Sequence, residues 1–590
     1  MADTERPLTR FIRRLRREER GNAMVIMGMA LIPITGMIGS GLDLSRAYMA
    51  KTRLQNACDA GALAGRRAMT NDVLTPQARA EALKFFNFNF AQQQYGTASF
   101  TPQVTRPARG TVRITASTTI PTAVMKLFGN DSIDLDVDCD ATLNMVNTDV
   151  VLVLDVTGSM DQTLGGTKKI AALREAVMAF YDELAPVQTQ LEAAGMRLRY
   201  GIVPYSANVN VGKLVRAVNS SYITNTNTYQ TRIPVFYTAT QETVAGLTET
   251  QCNNREQAKT PGGDVYPATE KFTSWSTNRR NSSCVITTVT YNTTATGQFA
   301  ERYLHVAAPL NVSAYKMGSN VAVPSRLPGT TQNATWAGCL EERDTVDTIR
   351  ASSGYAIPTG AHDLNIDLIP NSDATRWRPV WPEVSYQRFA EIDDTIQAAD
   401  DGDENTIGES DELRSNVTCP AEAVRLKAFS RSDMQSYVNA LTPTGSTYHD
   451  IGMIWGARLI SKAGIFADSP DTFNGMPATR HIIFMTDGEL APTDRVYSTY
   501  GMEKWDQRVT GNFNADGQYA SHEQRFKMIC NAIKGRNVSI WAIAFGTTAS
   551  AAMTECASNP NQVRTADQKD QLIATFRELG RNIGALRLDD

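Results

Sequence analysis

The sequence predicts an α/β protein with an apolar N-terminal helix, a small α+β segment and then an open, doubly wound sheet. Three observations support this prediction. An uncharged stretch of 22 residues follows an arginine block near the N-terminus. Buried-strand patterns alternate with helical patterns around residues 149–206 and again toward the C-terminus. A long stretch rich in Asn, Thr and Ser separates these two regions, so the sheet domain is expected to be split by an insertion.

The composition excludes several classes of function. The chain has 590 residues with 58 Lys plus Arg and 62 Asp plus Glu, and a net charge of −4 lacks the basic excess of a nucleic-acid-binding protein. Its five His residues are scattered and it contains no CxxC motif, so a zinc enzyme is not expected. Neither a GxSxG elbow nor a phosphate-binding loop is present, and no enzyme is predicted. A cryptic hydrolase in the insertion remains an alternative.

The N-terminus predicts a membrane anchor. The uncharged stretch from Gly21 to Leu42 would span about 33 Å as a helix, enough for a bilayer core of about 30 Å. By the positive-inside rule, residues 1–20 are a cytoplasmic tail, 21–42 the single transmembrane helix and 43–590 lie outside the cytoplasm. A cleaved signal peptide and a twin-arginine signal at Arg13-Arg14 are the alternatives. The arginines of the block are Arg6, Arg10, Arg13, Arg14, Arg16, Arg17 and Arg20.

The residues after the anchor predict a helix and then strands, over 43–146. The helical pattern continues past Asp43, and its small residues from Ala57 to Gly65 either permit close helix packing or touch nothing. In SIDLDVDCDATL, apolar residues alternate strictly with aspartates, which predicts a half-buried strand. Its row of four aspartates is interpreted as a solvated face rather than a cation site.

The anchor region resembles the N-terminal segment of TadE/TadG-type proteins of the Flp-type pilus-assembly machinery. The resemblance rests on Arg20-Gly21-Asn22, the apolar span, Asp43 with Arg46-Ala47-Tyr48, and Leu54-Gln55-Asn56-Ala57 followed by Asp59-Ala60. Processed, pilin-like members carry a Glu five residues after the cleavage glycine, where this chain has Ile26. The resemblance therefore implies an anchor retained in the bacterial inner membrane, with residues 43–590 periplasmic, and an accessory role in pilus assembly.

A buried strand followed by a polar loop begins the second half of the architecture. The run Val150–Leu154 ends at Asp155, and a helical pattern follows from Ile170. Ligands of open α/β sheets bind outside the carboxyl ends of such strands. Further strands are predicted at 198–204, 481–486 and 538–545, with helices near 432–441, 450–462, 522–535 and 567–583.

These loops resemble the metal-ion-dependent adhesion site of von Willebrand factor type A (VWFA) domains. That site combines D-x-S/T-x-S with a Thr and an Asp from two later loops, and the matching residues here are Asp155, Thr157, Ser159, Thr447 and Asp487. Such oxygen ligands suit Mg²⁺ or Mn²⁺. The ion would leave a coordination position open for an acidic side chain of a protein partner. We expect the five residues in a solvent-facing crevice, where none is needed for the core.

The VWFA resemblance assigns residues 147–206 and 431–590 to the two parts of the domain, and 207–430 to the insertion. The insertion is expected to be β-rich or irregular. Four of the seven Trp residues lie in it, and they are interpreted either as a recognition surface or as a small separate core. Within the insertion, Asp401, Asp403, Asn405 and Glu412 have the spacing of a Ca²⁺-binding loop, for which a solvated acidic loop is the alternative.

Eight Cys residues in an oxidising compartment predict disulfides, although eight thiols allow 105 connectivities. Cys530 and Cys556 flank the predicted strand 538–545 and are the favoured pair, closing a loop worth about 3 kcal/mol. The pairs Cys252–Cys284 and Cys339–Cys419 follow from order alone. A Cys58–Cys139 bond would join the anchor helix to the alternating strand.

The function predicted from these resemblances is that of a membrane-anchored accessory protein of Flp/Tad-type pilus assembly, which binds a protein of the pilus machinery or the envelope. The alternative is an envelope or surface adhesin with the same topology and no role in pilus assembly.

Overall fold

The computed structural model describes residues 19–69, 74–107, 111–142, 146–261, 265–324, 330–386, 419–493, 496–511 and 515–584. The chain forms two compact units that divide at Val146. The arginines before residue 19 and the four residues of the predicted Ca²⁺ loop (Asp401, Asp403, Asn405 and Glu412) lie outside the described residues.

The first unit contains two helices and a small antiparallel sheet. Its elements are α1 (Glu19–Ala68), α2 (Pro76–Asn89), β1 (Gln103–Thr105), β2 (Thr111–Pro121) and β3 (Ser132–Thr142), with short 3₁₀ helices at Gln94–Gly96 and Met125–Phe128. The strands pair in the order β1-β2-β3. The apolar N-terminal helix predicted from the sequence is confirmed, because α1 is long and apolar enough over Val25–Ala68 to cross a membrane.

The second half of α1 packs against α2 and the sheet. A Cβ placed on Gly65 would lie 2.7 Å from the Cβ of Ala82, and one on Gly61 would lie 2.9 Å from the carbonyl oxygen of Ala82. The small residues of α1 therefore allow close approach of α2, the first of the two alternatives given by the sequence. On β3, Leu135 and Val137 are buried and the intervening aspartates are exposed, as the alternating pattern predicts.

The second unit is a larger α/β structure. Its strands are β4 (Asn147–Asp155), β5 (Thr163–Leu164), β6 (Thr167–Lys168), β7 (Leu198–Tyr205), β8 (Thr226–Ala245), β9 (Gln257–Thr260), β10 (Ala268–Asn278), β11 (Asn281–Asn292), β12 (Gln298–Asn311), β13 (Val321–Pro324), β14 (Thr331–Ala334), β15 (Leu340–Glu341), β16 (Arg378–Pro379), β17 (Val424–Lys427), β18 (Thr472–Phe473), β19 (Met476–Thr486), β20 (Tyr497–Ser498), β21 (Gly501–Met502), β22 (Ser539–Phe545) and β23 (Val563–Ala566).

The α-helices of this unit are α3 (Lys169–Ala193), α4 (Gly212–Val218), α5 (Glu249–Asn253), α6 (Ser313–Lys316), α7 (Arg431–Asn439), α8 (His449–Ile460), α9 (Glu503–Asp506), α10 (Ala515–Lys534), α11 (Ala551–Cys556) and α12 (Lys569–Gly584). Short 3₁₀ helices lie at Gly158–Asp161, Ser220–Tyr222, Asp373–Thr375, Pro382–Val384 and Pro560–Gln562. The mixed α/β content predicted from the sequence is thus confirmed.

A sheet with strand order β17-β7-β4-β19-β22-β23 forms the centre of this unit. Strands β7, β4, β19, β22 and β23 are parallel, and β17 pairs with β7 in the opposite direction. Parallel sheets are covered on both faces, which explains the continuous apolar runs in β4 and β19. Strand β17 lies inside the range 207–430 yet belongs to the edge of this sheet.

Helices cover both faces of the sheet. On one face, α8 approaches closely through Gly456, where an added Cβ would lie 2.5 Å from Cγ2 of Val153. On the other face, Phe180 of α3 makes edge contacts with Tyr200 of β7 and Phe576 of α12, with ring centroids 6.3 Å apart in both pairs. The carboxyl ends of the parallel strands are therefore held between two helical layers.

We call residues 206–423 the intervening segment, and the described part of it is β-rich. Five strands form a second, antiparallel sheet in the order β12-β8-β11-β10-β9. The tryptophans correct the prediction from sequence: Trp336, Trp377 and Trp381 are buried in the same hydrophobic core as Val153 and Trp455. They form neither an exposed recognition surface nor a separate core. Trp275 alone of the four packs on a small cluster around the Cys252–Cys284 bond.

All four predicted cysteine pairings are confirmed. The disulfides are Cys58–Cys139, Cys252–Cys284, Cys339–Cys419 and Cys530–Cys556. The first lies within the first unit and joins α1 to β3. The other three lie within the second unit.

Candidate metal centre

The candidate centre lies at the carboxyl ends of β4 and β19, which are adjacent parallel strands. The register pairs Leu154 with Met485, so Asp155 and Thr486 end the two strands side by side. Asp487 follows β19, and the 3₁₀ helix Gly158–Asp161 brings Ser159 to the same place. This is the edge at which open α/β sheets bind ligands.

Asp155 is fully buried and receives hydrogen bonds from neutral groups. Its Oδ1 accepts from the backbone N–H of Thr157 at 2.9 Å, and its Oδ2 accepts from the hydroxyls of Thr486 at 2.6 Å and Tyr205 at 3.4 Å. Burial and, second, the nearby carboxylate of Asp487 raise the pKa of Asp155 to about 6, against these hydrogen bonds. A positive charge at this position would therefore stabilise the ionised carboxylate.

Asp487 links the other side chains of the centre. The hydroxyl of Ser159 donates to its Oδ1 at 2.7 Å, and that hydroxyl lies 2.9 Å from the hydroxyl of Thr157. The Lys169 ammonium donates to its Oδ2 at 2.9 Å, forming an ion pair that is almost completely buried. Two carboxylates and one ammonium thus share the centre.

Thr447 is placed near the centre by its loop and not by its side chain. The carbonyl of Gly445 accepts from the N–H of Gly158 at 2.9 Å, which holds the loop against the 3₁₀ helix. Thr447 is buried, and its own carbonyl accepts from the N–H of Ala491 at 2.9 Å. In the described part of the chain, its hydroxyl makes no hydrogen bond to the other four predicted ligands. The structure therefore connects Asp155, Thr157, Ser159 and Asp487 directly and leaves Thr447 beside them.

The predicted exposure of these residues is wrong. Asp155, Thr157, Thr447 and Asp487 are all buried, and Ser159 is half-buried. Asp155 satisfies three donors at the end of the central strand, so Asp155→Ala would leave those donors unpaired in the interior. Loss of a hydroxyl from Thr157 or Ser159 is a better probe of metal binding, because both carboxylates and the lysine remain.

Three residues of the centre have no counterpart in the sequence motif: Lys169, Thr486 and Tyr205. Lys169 is the first residue of α3, where a positive charge is unfavourable because it opposes the helix dipole. This placement is the only feature of the sequence that could have indicated a special role for Lys169. Its partner Asp487 is 318 residues away. Thr486 is adjacent to Asp487 in sequence. Its hydroxyl donates to Asp155 and orients that carboxylate, so we do not count Thr486 as a ligand.

The donor set suits a small, hard cation. Its atoms are carboxylate and hydroxyl oxygens, the ligands that Mg²⁺ and Mn²⁺ prefer. Among the described residues, no three His, Cys, Asp or Glu side chains are grouped so as to hold a metal. A site in this structure would therefore depend on hydroxyls and would leave charge on the ion uncompensated.

The N-terminal part of the chain matches a known protein family. Residues 21–80 match the model of the Tad family, described as Flp pilus-assembly TadE/G-like. The match covers most of α1 and the start of α2, and it includes none of the second unit. No curated protein sequence matches the chain.

Several solved structures show distant similarity. The pilus adhesin SpaC from Lactobacillus rhamnosus GG is 10% identical and has a TM-score of 0.28, with 82% of this chain and 34% of that chain covered. The vWF domain of the type V pili tip protein Mfa5 from Porphyromonas gingivalis is 10% identical and has a TM-score of 0.27, with coverage of 75% and 98%. Proximal thread matrix protein 1 from the mussel byssus, whose metal-ion-dependent adhesion site (MIDAS) motif is occupied by zinc, is 17% identical and has a TM-score of 0.17. The match covers 27% of this chain and 32% of that chain.

The chain spans about a third of the length of the SpaC chain that it matches. Its N-terminal segment is TadE/G-like in sequence, as predicted.

Proposed function

We propose that this protein is a membrane-anchored accessory factor of Flp/Tad-type pilus assembly, whose second unit is a VWFA-like domain that binds a protein partner through a divalent cation. One observation carries the binding role. Hydrogen bonds join Asp155, Thr157, Ser159 and Asp487 where two adjacent parallel strands end. The pilus role is supported by the TadE/G-like match of residues 21–80.

The residues that would hold Mg²⁺ or Mn²⁺ are Asp155, Thr157, Ser159, Thr447 and Asp487. A bound divalent cation would act as a Lewis acid toward an oxygen ligand from outside the chain. The hydroxyls of Thr157 and Ser159 are neutral, so the protein supplies only two negative charges and one of them already pairs with Lys169. An acidic side chain of the partner would complete the charge balance. This favours a binding site over a catalytic site.

The topology proposed is a single α1 span in the inner membrane, with the rest of the described chain on the periplasmic side. Four disulfides among the eight Cys residues support an oxidising compartment. The alternative function, an envelope or surface adhesin unrelated to pilus assembly, uses the same site and anchor. Pull-down from crosslinked envelopes, with and without chelator, separates the two by whether pilus-assembly proteins are captured in a cation-dependent way.

Removal of the hydroxyls of Thr157 and Ser159 is expected to abolish stabilisation by divalent cations. The full chain in detergent should gain about 2.7 kcal/mol when free Mg²⁺ reaches about 100 times its Kd, because the ion binds only the folded state. The Thr157→Val, Ser159→Ala double variant should lose this gain in a thermal unfolding assay.

Thr479→Val is the matched control, because it removes a half-buried hydroxyl from the opposite end of β19. It should respond to Mg²⁺ as the parent does. Equal responses of the double variant and the parent would contradict the proposed site.

Lys169→Met is expected to strengthen cation binding. The Lys169 ammonium holds the Oδ2 of Asp487 at 2.9 Å and repels a second cation. At an effective dielectric constant of about 20, two unit charges about 4 Å apart interact by about 4 kcal/mol, so the Kd for Mn²⁺ should fall by at least about tenfold.

Titration of Mn²⁺ followed by electron paramagnetic resonance measures this Kd. Lys168→Met is the control, since Lys168 pairs with exposed Asp161 outside the centre. An unchanged or weaker affinity of the Lys169→Met variant would show that the ammonium does not compete with the cation.

A further inference from the structure

The turn between β2 and β3 lies against the membrane-spanning part of α1. Residues 122–130, which we call the hairpin tip, contain the 3₁₀ helix Met125–Phe128. A Cβ placed on Gly39 would lie 2.2 Å from Cγ1 of Val124, and one on Gly36 would lie 2.8 Å from Cζ of Phe128. At Gly39 a larger residue would force Val124 away, so the hairpin tip is seated on α1 at this position, and the ring of Phe128 lies over Gly36.

Asp43 fixes the hairpin tip to α1. Its carboxylate accepts from the backbone N–H groups of Ala123, Val124 and Met125 at 2.9, 2.8 and 2.9 Å. Further along the hairpin tip, the N–H groups of Leu127 and Gly129 donate to carbonyls of the same turn. Backbone groups that leave water must find partners within the protein, and these five N–H groups of the hairpin tip do so.

The length of α1 sets the depth of the hairpin tip. The residues between Arg20 and the contact at Gly36 are 15 in number and would cover only about 22 Å, short of a bilayer core of about 30 Å. About five further residues, from Gly36 to Ser40, are therefore needed to complete the crossing. The hairpin tip lies beside those residues and shares their depth.

The side chains of the hairpin tip suit that environment. Leu127 is 83% exposed and Phe128 is 53% exposed, and the apolar residues Met37 and Ile38, which follow Gly36 on α1, are exposed as well. Exposed Lys126 precedes them.

We propose that the hairpin tip is a second membrane contact, which inserts Leu127 and Phe128 into the outer layer of the bilayer that α1 spans and places Lys126 at the phosphate headgroups. The inference rests on the anchor role of α1 in the proposed function and is independent of the metal centre. Leucine and phenylalanine side chains bury at the boundary between headgroups and acyl chains, and a lysine beside them can extend its ammonium to the headgroups.

Photocrosslinking in proteoliposomes tests the proposal. The full chain is reconstituted into phosphatidylethanolamine and phosphatidylglycerol vesicles, with photoreactive p-benzoylphenylalanine replacing Leu127. The control carries the probe at Phe88, which is 87% exposed on α2 of the same unit, near the contact of α2 with Gly61. Gly61 is 18 residues, or about 27 Å, beyond Asp43 along α1. Formation of the Cys58–Cys139 bond verifies that each variant is folded.

The expected result is a phospholipid adduct at position 127 that exceeds the adduct at position 88 several-fold. Equal labelling at both positions, or labelling of protein in place of lipid at position 127, would overturn the proposal. Carbonate extraction of the same vesicles separates the two inferences. Release of the chain would refute the anchor and the hairpin tip together, whereas a retained chain without lipid adduct at position 127 would refute the hairpin tip alone.

Discussion

Glu342→Gln is expected to lower the free energy of unfolding of the second unit by about 3–5 kcal/mol, the usual cost of breaking a buried ion pair. Glu342 and Arg458 each have 1% side-chain exposure. The two Arg458 amino groups donate to the carboxylate of Glu342 at 2.6 and 2.9 Å, and the indole N–H of Trp377 donates to it at 3.1 Å. Glutamine would leave the guanidinium charge buried without a counter-charge.

Chemical denaturation of the full chain in detergent, followed by tryptophan fluorescence, measures this change. Glu422→Gln is the matched control, because the carboxylate of Glu422 pairs with Lys213 at the surface with side-chain exposures of 39% and 46%. A surface pair contributes about 0–1 kcal/mol, so the control should unfold much as the parent does. Similar midpoints for the two variants would show that the buried pair has no special role.

The same contact explains how the intervening segment is held. Glu342 belongs to the intervening segment and Arg458 to α8, which covers the central sheet. Arg525 of α10 makes a second such pair with Asp363, and both side chains are fully buried. The intervening segment therefore shares its core and its buried charges with the sheet. It is an integral part of the unit rather than a detachable decoration.

Loss of the Cys58–Cys139 bond is expected to destabilise the first unit by about 4–5 kcal/mol, because the bond closes a loop of 81 residues in the unfolded chain. The Cys58→Ser, Cys139→Ser double variant should lose amide protection in α2, β2 and β3. Hydrogen exchange of the membrane-reconstituted chain measures this loss.

The second unit provides an internal control in the same sample, since its own three disulfides are unchanged. Its amides in β4 and β19 should keep their protection. Unchanged protection throughout the first unit would mean that the packing of α1 on α2 and the sheet holds the unit without the bond.

Local patterns predicted much of this structure. The apolar runs of β4, β7, β19 and β22 identified four of the parallel strands, because burial on both faces leaves a continuous signal. The alternation in β3 and the pairing of cysteines by order were also confirmed. The ligand role of the five metal-centre residues remains a prediction, although four of them are hydrogen-bonded to one another.

The features that the sequence did not reveal depend on partners far apart in the chain. Trp377 packs against Trp455 with ring centroids 5.4 Å apart, and no pattern near either residue indicates the other. Likewise, the ion pair of Lys169 with Asp487 joins residues 318 positions apart, and the sequence near either residue does not indicate the other. Nothing in the sequence around Gly36 and Gly39 indicates that these two glycines receive the hairpin tip, which lies far along the chain.

The unbroken length of α1 has a mechanical consequence. A single helix from Glu19 to Ala68 carries both the apolar span and the surface that binds α2 and the small sheet. Tension applied to β3 would pass through the covalent Cys58–Cys139 bond into the C-terminal part of this helix and then along its axis toward the bilayer. Within the first unit, the load follows a stiff path with no hinge between the sheet and the span, so a pulling force would act on the anchor directly.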